Sequence, residues 1–408
     1  MSGPRISIVG GGAAGFFAAI TAAESRRDAV ITIHEQGPQV LAKVRISGGG
    51  RCNVTNACFE VRELVSRYPR GSQALIGALH RFQPRDTVAW FAARGVELKT
   101  EPDGRMFPTT DTSRTIIDCL VQSAETAGVR CVLNRGVRAV SRVASGGFQL
   151  TLSNGESWGA DKVLLATGGC RSVVQARLAE DLGHVVEPPV PSLFAFDLAG
   201  GWLRDLAGVA VDPVEVSIPG TRLKERGPMM VTHRGVSGPA ILRLSAWGAR
   251  VLQERGYTFP LRIDWLPLLG EAGLNDAFEA RRREQGAKLL VNAPIAPLTN
   301  RLWERLVLAT GLPREARWAS LTKEARLKLA RQVRETEVMV SGKSLNQDEF
   351  VTCGGVRLSE VDFKRMESRV CPGLHFAGEL LDIDGITGGF NFQCAWTTGW
   401  IAGHAMAV

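Results

Sequence analysis

The residues that could do chemistry come first. A β-branched run, Arg5-Ile-Ser-Ile-Val9, ends directly in Gly10-x-Gly12-x-x-Gly15, with Ala13 and Ala14 between the last two glycines. That spacing suits phosphate binding. Gly10 permits a tight strand-to-helix turn, Gly12 lets backbone N–H groups approach a pyrophosphate, and Gly15 lets the following helix lie close on the sheet. The phosphates then sit on a helix N-terminus, where free N–H groups and the dipole favour negative charge. The run Ala29-Val-Ile-Thr-Ile-His-Glu35 reads as a second strand. It ends in a carboxylate about 20 residues past Gly15, the placement for ribose hydroxyls rather than a 2′-phosphate. A lone glycine triplet of this kind is also found in plain turns. Here the strand before it, a small-residue helix over 13–23 and the acid beyond point to a βαβ dinucleotide site.

Elements further along choose the dinucleotide. Lys162-Val-Leu-Leu-Ala-Thr167-Gly168-Gly169 is a buried-strand run, and 373–382 reads as another strand, closing on Gly378-Glu379. Gly385-Ile-Thr-Gly-Gly389-Phe390-Asn391-Phe392-Gln393 then feeds a helix from about Asn391 to Val408. Taken singly, these are tight strand ends. Taken in this order, they suit an FAD fold whose chain leaves the nucleotide domain and returns to it, which a nicotinamide-only dehydrogenase would not need.

The run Ile46-Ser-Gly-Gly-Gly-Arg51-Cys52-Asn53-Val-Thr-Asn56 adds a backbone able to press against a flat or phosphorylated ligand, followed by a guanidinium and amides. Together with Gly104-Arg-Met-Phe-Pro108, the run 233–242, Val351-Thr-Cys-Gly-Gly-Val356 and Met366-Glu-Ser368, it resembles the BaiN-like (YhiN-like) bacterial NAD(P)/FAD-dependent oxidoreductases. That family includes a bile-acid-pathway reductase and an aminoacetone oxidase. The resemblance runs over essentially the whole chain. It implies a Rossmann-like, three-layer α/β FAD domain and cofactor contacts at Gly10, Gly12, Ala13, Ala14, Gly15, Glu35, Lys43, Gly49, Gly50, Arg51, Cys52, Asn53, Val137, Thr167, Gly168, Gly378, Glu379, Gly389, Phe390, Asn391 and Phe392. One departure is visible: members commonly carry Gly-Arg-Lys before the glycine triplet, whereas this chain has Leu41-Ala-Lys43 with the arginine displaced to Arg45.

The elements that must hold these residues follow from texture. From 189 to 267 the pattern alternates between Gly/Pro turns, as in 214–218 and 259–265, which is half-buried antiparallel strand. From 271 to 335 the period is helical: Asn275-Asp276 can cap one helix, Thr299-Asn300 another that stops at Gly311 before Pro313, and Thr322 a third carrying Ala325, Leu329 and Val333 on one face. Residues 337–341 read as a returning strand. The expected organisation is an FAD domain from 1–188 and 343–408, interrupted by an insert. The insert has a β-barrel-like subdomain (189–267 and 336–342) and a helical subdomain (268–335).

The chain's 408 residues are 45% hydrophobic, enough to bury two or three cores. No signal peptide or apolar run of membrane-spanning length is visible, so the expected location is the cytoplasm. The eight cysteines match no redox or zinc spacing; they read as reduced packing residues and no metal is expected. Net charge is +8, and 271–335 holds 13 Lys/Arg against 8 Asp/Glu. Such runs as Arg281-Arg-Arg283 are commonly solvated helix faces. They could also dock a phosphorylated nicotinamide cofactor, an acidic substrate or nucleic acid, although aromatics for base stacking are sparse there.

Two classes of function follow. The first is an FAD enzyme moving hydride between a small organic substrate (C=C reduction or amine oxidation) and NAD(P) or oxygen. The second is a flavin-bearing nucleic-acid-modifying or RNA-binding protein. No second Gly-x-Gly-x-x-Gly follows a strand, so NAD(P)H would visit as a transient co-substrate rather than occupy its own domain. The acid/base group is not legible. His233, in Gly235-x-x-Gly238's approach, is a candidate set against a plain turn histidine, Cys52 one set against packing, and Asn53 a third. A monomer and a homodimer both remain open.

Overall fold

The computed structural model describes residues 3–170, 173–344 and 351–408. It divides into two units, 1–192 with 347–408, and 193–346.

In the first unit, the strand Arg5–Val9 lies between Val30–His34 and Lys162–Leu165, parallel to both. The sheet extends through parallel Arg130–Val132 on one side and parallel Leu374–Phe376 on the other, then ends in the short antiparallel strands Glu367–Ser368 and Val361–Asp362. The first two strands are buried at every position but the first, as continuous apolar parallel strands must be. The strand read over 373–382 stops at Phe376, because Gly378 takes φ +72° and opens a short 3₁₀ turn, Gly378–Leu380.

Against this sheet lie two helices from opposite ends of the chain, Ala13–Ser25 and Phe390–Ala407. Both are apolar nearly all round, the pattern of a buried helix, and glycine brings them together. A Cβ on Gly399 would stand 2.6 Å from the Ala14 carbonyl oxygen, and one on Gly403 2.6 Å from that of Ala18. Ser25 Oγ reaches His404 Nδ1 at 2.9 Å. A three-stranded meander, Val137–Arg142, Phe148–Leu152 and Ser157–Ala160, completes the layers.

The second unit is a closed six-stranded barrel in the order Ala195–Leu198, Gly235–Ser237, Lys224–Val231, Ala210–Ser217, Phe259–Asp264, Thr336–Ser344. Phe259–Asp264 alternates buried and half-buried along its length, as a barrel wall requires. The helices Gly270–Gln285, Asn300–Ala309 and Lys323–Arg334 gather around Trp303 and Trp318, which stack 6.0 Å apart. Thr299 and Thr322 cap the second and third helices, accepting from Leu302 N and Ala325 N. The expected cap at Asn275-Asp276 is corrected: that helix begins five residues earlier, and both residues ride on it beside its buried face of Leu274 and Phe278. No described helix is long and apolar enough to cross a membrane.

Candidate functional site

The glycine turn is built as its spacing requires. Gly10 has φ +111°, and a Cβ there would lie 2.4 Å from the Ala166 carbonyl oxygen. Gly15 is equally constrained, since its Cβ would come 2.1 Å from the Gly10 oxygen. Gly12 differs. It caps the first helix in extended conformation (φ −91°) without a side-chain cap, and a Cβ there would meet nothing within 4 Å. The free N–H groups of the first helical turn, through Ala13 and Ala14, therefore border open space. Glu35 fastens this turn: one carboxylate oxygen accepts from Gly11 N and the other from Gly37 N, both at 2.8 Å. Each oxygen keeps a lone pair for a further donor.

Beside the turn, the strand Lys162–Leu165 runs into Thr167-Gly168. Gly168 has φ +80° with open space where a Cβ would be, and the buried Thr167 hydroxyl has no hydrogen-bond partner among the described residues. Among the described residues the buried hydroxyl of Thr352 is likewise without one. Thr352 N donates to Glu379 Oε1 at 2.9 Å, while Lys43 pairs with the other Glu379 oxygen. Gly378 is held by its N–H to Thr398 Oγ1 at 2.9 Å.

The loop 46–53 carries an unusual backbone. Gly48, Gly49 and Gly50 have φ of +59°, +69° and +84°, three consecutive left-handed residues that only glycine adopts without strain. Gly49 and Gly50 face open space, whereas a Cβ on Gly48 would strike Phe107 at 2.9 Å. Arg51 is engaged within the protein: it bonds Glu101 Oε1 at 2.7 Å and lies 4.0 Å over the Phe107 ring. Cys52 is fully buried, which pushes its thiol up to about 12 and leaves it uncharged at neutral pH. The Asn53 amide, oriented to satisfy both neighbours, donates to the Thr55 carbonyl at 3.1 Å and accepts from Gly389 N at 2.9 Å.

That last contact ties the loop to the start of the C-terminal helix. Gly389 caps it with φ +93°, and a Cβ there would fall 2.4 Å from the Thr55 oxygen. Asn391 clamps Gly385 by both its N–H (2.8 Å) and its carbonyl (2.9 Å). The Tyr68 hydroxyl donates to the Phe390 carbonyl at 2.7 Å, and Phe392 stacks on Trp396 at 5.7 Å. The helix's first-turn N–H groups supply a positive terminus.

Val137 is buried at the start of the meander. His233 lies in the second unit, exposed in the turn between Lys224–Val231 and Gly235–Ser237, without a hydrogen-bond or ion-pair partner among the described residues. No group of three or more His, Cys, Asp or Glu that could hold a metal occurs among the described residues. Five segments thus share one unit and present glycines open at 12, 49, 50 and 168, two buried hydroxyls at Thr167 and Thr352, a Lys43–Glu379 pair and a helix N-terminus. This donor set fits a pyrophosphate-bearing flavin. Sequence reasoning missed Tyr68 and Thr352; the latter sits inside the quoted run 351–356, whose two glycines were its signal.

A family described as "HI0933-like protein Rossmann domain" matches residues 4–405. A 3-dehydro-bile acid delta(4,6)-reductase of Clostridium scindens is 30% identical over 99% of this chain and 99% of its own. A ribosomal RNA dihydrouridine synthase of Escherichia coli K12 is 32% identical over 96% of this chain and 95% of its own. Among solved structures, a flavocytochrome c3 fumarate reductase shares the fold with a TM-score of 0.52 at 18% identity, covering 99% of this chain and 78% of that one. The 3-ketosteroid-Δ4-(5α)-dehydrogenase of Rhodococcus jostii RHA1 does so at 0.51 and 15%, covering 100% and 98%.

Proposed function

The chain belongs to the HI0933-like family and is an FAD-dependent oxidoreductase, and we propose that it reduces a C=C bond conjugated to a carbonyl, the bond being that of a uridine in ribosomal RNA. The observation that carries this reading is the chemistry common to the two relatives' names. A Δ4,6 double bond beside a 3-oxo group and the 5,6 double bond of uridine are both electron-poor alkenes, saturated by adding hydride to one carbon and a proton to the other. RNA is favoured over the steroid by the synthase's identity of 32% and by the excess of 13 Lys/Arg over 8 Asp/Glu in residues 271–335. This puts first the class of partner that the aromatic-poor insert put second.

FAD, when bound, supplies the two-electron hydride chemistry. The chain's residues do the holding and polarising. Gly12 and the first turn of the helix Ala13–Ser25 receive the pyrophosphate, and Glu35 offers its remaining lone pairs to ribose hydroxyls. Thr167, Thr352 and the Lys43–Glu379 pair offer polar groups to the rest of the cofactor. The N-terminus of the helix Phe390–Ala407 would favour negative charge on a cofactor bound beside it by about 0.3–2 kcal/mol. NAD(P)H is the proposed donor, visiting transiently.

The test is anaerobic. Purified holoenzyme is reduced with NADPH or NADH, then mixed with unmodified ribosomal RNA transcript or with a 3-oxo-Δ4,6 steroid. Reoxidation by RNA, with a uridine gaining two hydrogens by mass spectrometry, is expected. Reoxidation by the steroid alone would move the substrate to that class, and failure with both would end the conjugated-alkene reading.

A further inference from the structure

At the edge of the seven-stranded sheet, away from the glycine elements, the first unit holds a groove of about 720 Å³. One wall is the helix Ser72–Arg81, which contributes Gly77 and Arg81; the other is the hairpin of Val361–Asp362 and Glu367–Ser368, which contributes Asp362, Phe363, Lys364 and Arg369. Three cations thus face one carboxylate. Asp362 balances only one of them: it forms an ion pair with Arg369 at 3.7 Å and also accepts from the backbone N–H of Lys364 at 3.1 Å, so the groove keeps a surplus of positive charge. Arg81 is pinned by donating to the Lys364 carbonyl, and its guanidinium lies 5.7 Å from the Trp400 ring. The exposed Lys364 ammonium has no ion-pair or hydrogen-bond partner among the described residues. Phe363 lies half-buried beside these charges, and the missing side chain at Gly77 keeps the opposite wall clear, since a Cβ there would meet nothing within 4 Å.

We propose that this groove binds a single-stranded stretch of RNA flanking the reacting base, its phosphates on Lys364, Arg369 and Arg81 and a base on Phe363. A surplus of cations with an aromatic ring between them is the combination that binds single strands, the charges tracking the backbone and the ring taking any base. The helices supply the ruler. Arg81 reaches Trp400, which lies ten residues beyond Phe390 on the C-terminal helix, and ten residues of helix span about 15 Å. A small substrate held near Gly389 would not reach that far, whereas the neighbouring nucleotides of a polymer would. The inference rests on the RNA reading above and adds a docking surface that the cofactor residues do not include.

Three variants of the full-length holoenzyme test it: Lys364→Ala with Arg369→Ala, Phe363→Ala, and Gly77→Leu, which blocks the groove without touching charge and improves helix propensity. Each is titrated with a single-stranded oligonucleotide of ribosomal RNA sequence at several salt concentrations, alongside flavin content and the rate of flavin reduction by NAD(P)H. Flavin content and reduction should stay at wild-type values. The double variant should flatten the slope of log affinity against log salt by about 1.4, two phosphates at about 0.7 each on a single strand. Phe363→Ala should weaken binding about 5- to 150-fold at all salts, and Gly77→Leu should weaken it with its charges intact. If the wild type reduces uridine in RNA and all three variants bind with its affinity and slope, the groove inference fails and the functional reading stands. Should the wild type bind no RNA while inorganic pyrophosphate protects Lys364 from acetylation, the groove is a small-anion site and both proposals fall. Loss of flavin from every variant would show a structural role and also overturn the groove.

Discussion

Gly12 and Gly15 lie three residues apart on the same turn, yet the structure predicts opposite outcomes for adding one methyl group to each. At Gly12 the backbone is extended, φ −91°, which alanine adopts freely, and the new Cβ enters open space. Alanine is a poorer helix cap than glycine by about 1 kcal/mol. It also restricts the unfolded chain, returning about 0.4–1 kcal/mol. Apoprotein stability should therefore change by less than about 1 kcal/mol. The methyl nevertheless occupies the space into which the free N–H groups point. Leaving a hydrogen bond to a charged phosphate unmade costs about 1.5–3 kcal/mol, so the Kd for FAD should rise about 10- to 150-fold. At Gly15 the Cβ would sit 2.1 Å from the Gly10 carbonyl oxygen, and the helix must move off the strand. Overpacking of this kind costs about 1–3 kcal/mol, so Gly15→Ala should lower apoprotein stability and flavin affinity together. Urea denaturation of the deflavinated variants, with FAD titration followed by fluorescence quenching, separates the two. Wild-type FAD affinity in Gly12→Ala, or unchanged apoprotein stability in Gly15→Ala, would refute the reasoning from open space and contact.

Three further outcomes follow from the same geometry. Glu35→Ala strips the acceptors from Gly11 N and Gly37 N and should weaken FAD binding by about 1–3 kcal/mol, read by flavin retention after dialysis. Cys52, its thiol pushed up to about 12 by burial, should escape iodoacetamide at pH 8 in the native protein and react only on unfolding, while exposed Cys131 is labelled first; mass spectrometry of tryptic peptides tells them apart. Burial lowers His34 from 6.5 to about 4, helped by nearby Arg130. The unfolded chain then binds a proton that the native state refuses, so stability is full above pH 6.5 and falls as pH drops towards 4. His34→Phe should remove about one proton from the uptake on unfolding in that window, and an unchanged proton uptake would rule out a neutral buried His34.

What could be read in advance was local. Glycines at 10, 12 and 15 announce themselves because their φ values and close approaches are set within one turn, and Thr299 and Thr322 are legible as caps for the same reason. Asn275 and Asp276 misled because polar residues on an amphipathic helix look like a cap when the true start, at Gly270, has no side-chain cap to signal it. The contacts that lock the site were not legible. Tyr68 meets Phe390 across 322 residues, and buried Asp384 meets Arg70 across 314. Neither pair has a spacing to find. The basic insert was ambiguous for an electrostatic reason: Arg326 pairs with Glu279 and Arg305 with Asp205, so its runs do not say which arginines are open to a ligand, although the net excess of 13 Lys/Arg over 8 Asp/Glu in 271–335 remains.

The pairing of the helices Ala13–Ser25 and Phe390–Ala407 sets a schedule for the newborn chain. Ser25 waits for His404 across 379 residues, which at about 5–20 residues per second is roughly 20–80 s of synthesis. Through that interval the first helix, apolar on all sides, lacks the neighbour that covers one of its faces, and Gly399 and Gly403 have yet to be made. Flavin capture must wait until Gly389 and the helix behind it have left the ribosome. A chain stalled before Phe390 would expose an uncovered greasy helix and half a cofactor site, making it a substrate for chaperones and proteases rather than a smaller flavoprotein.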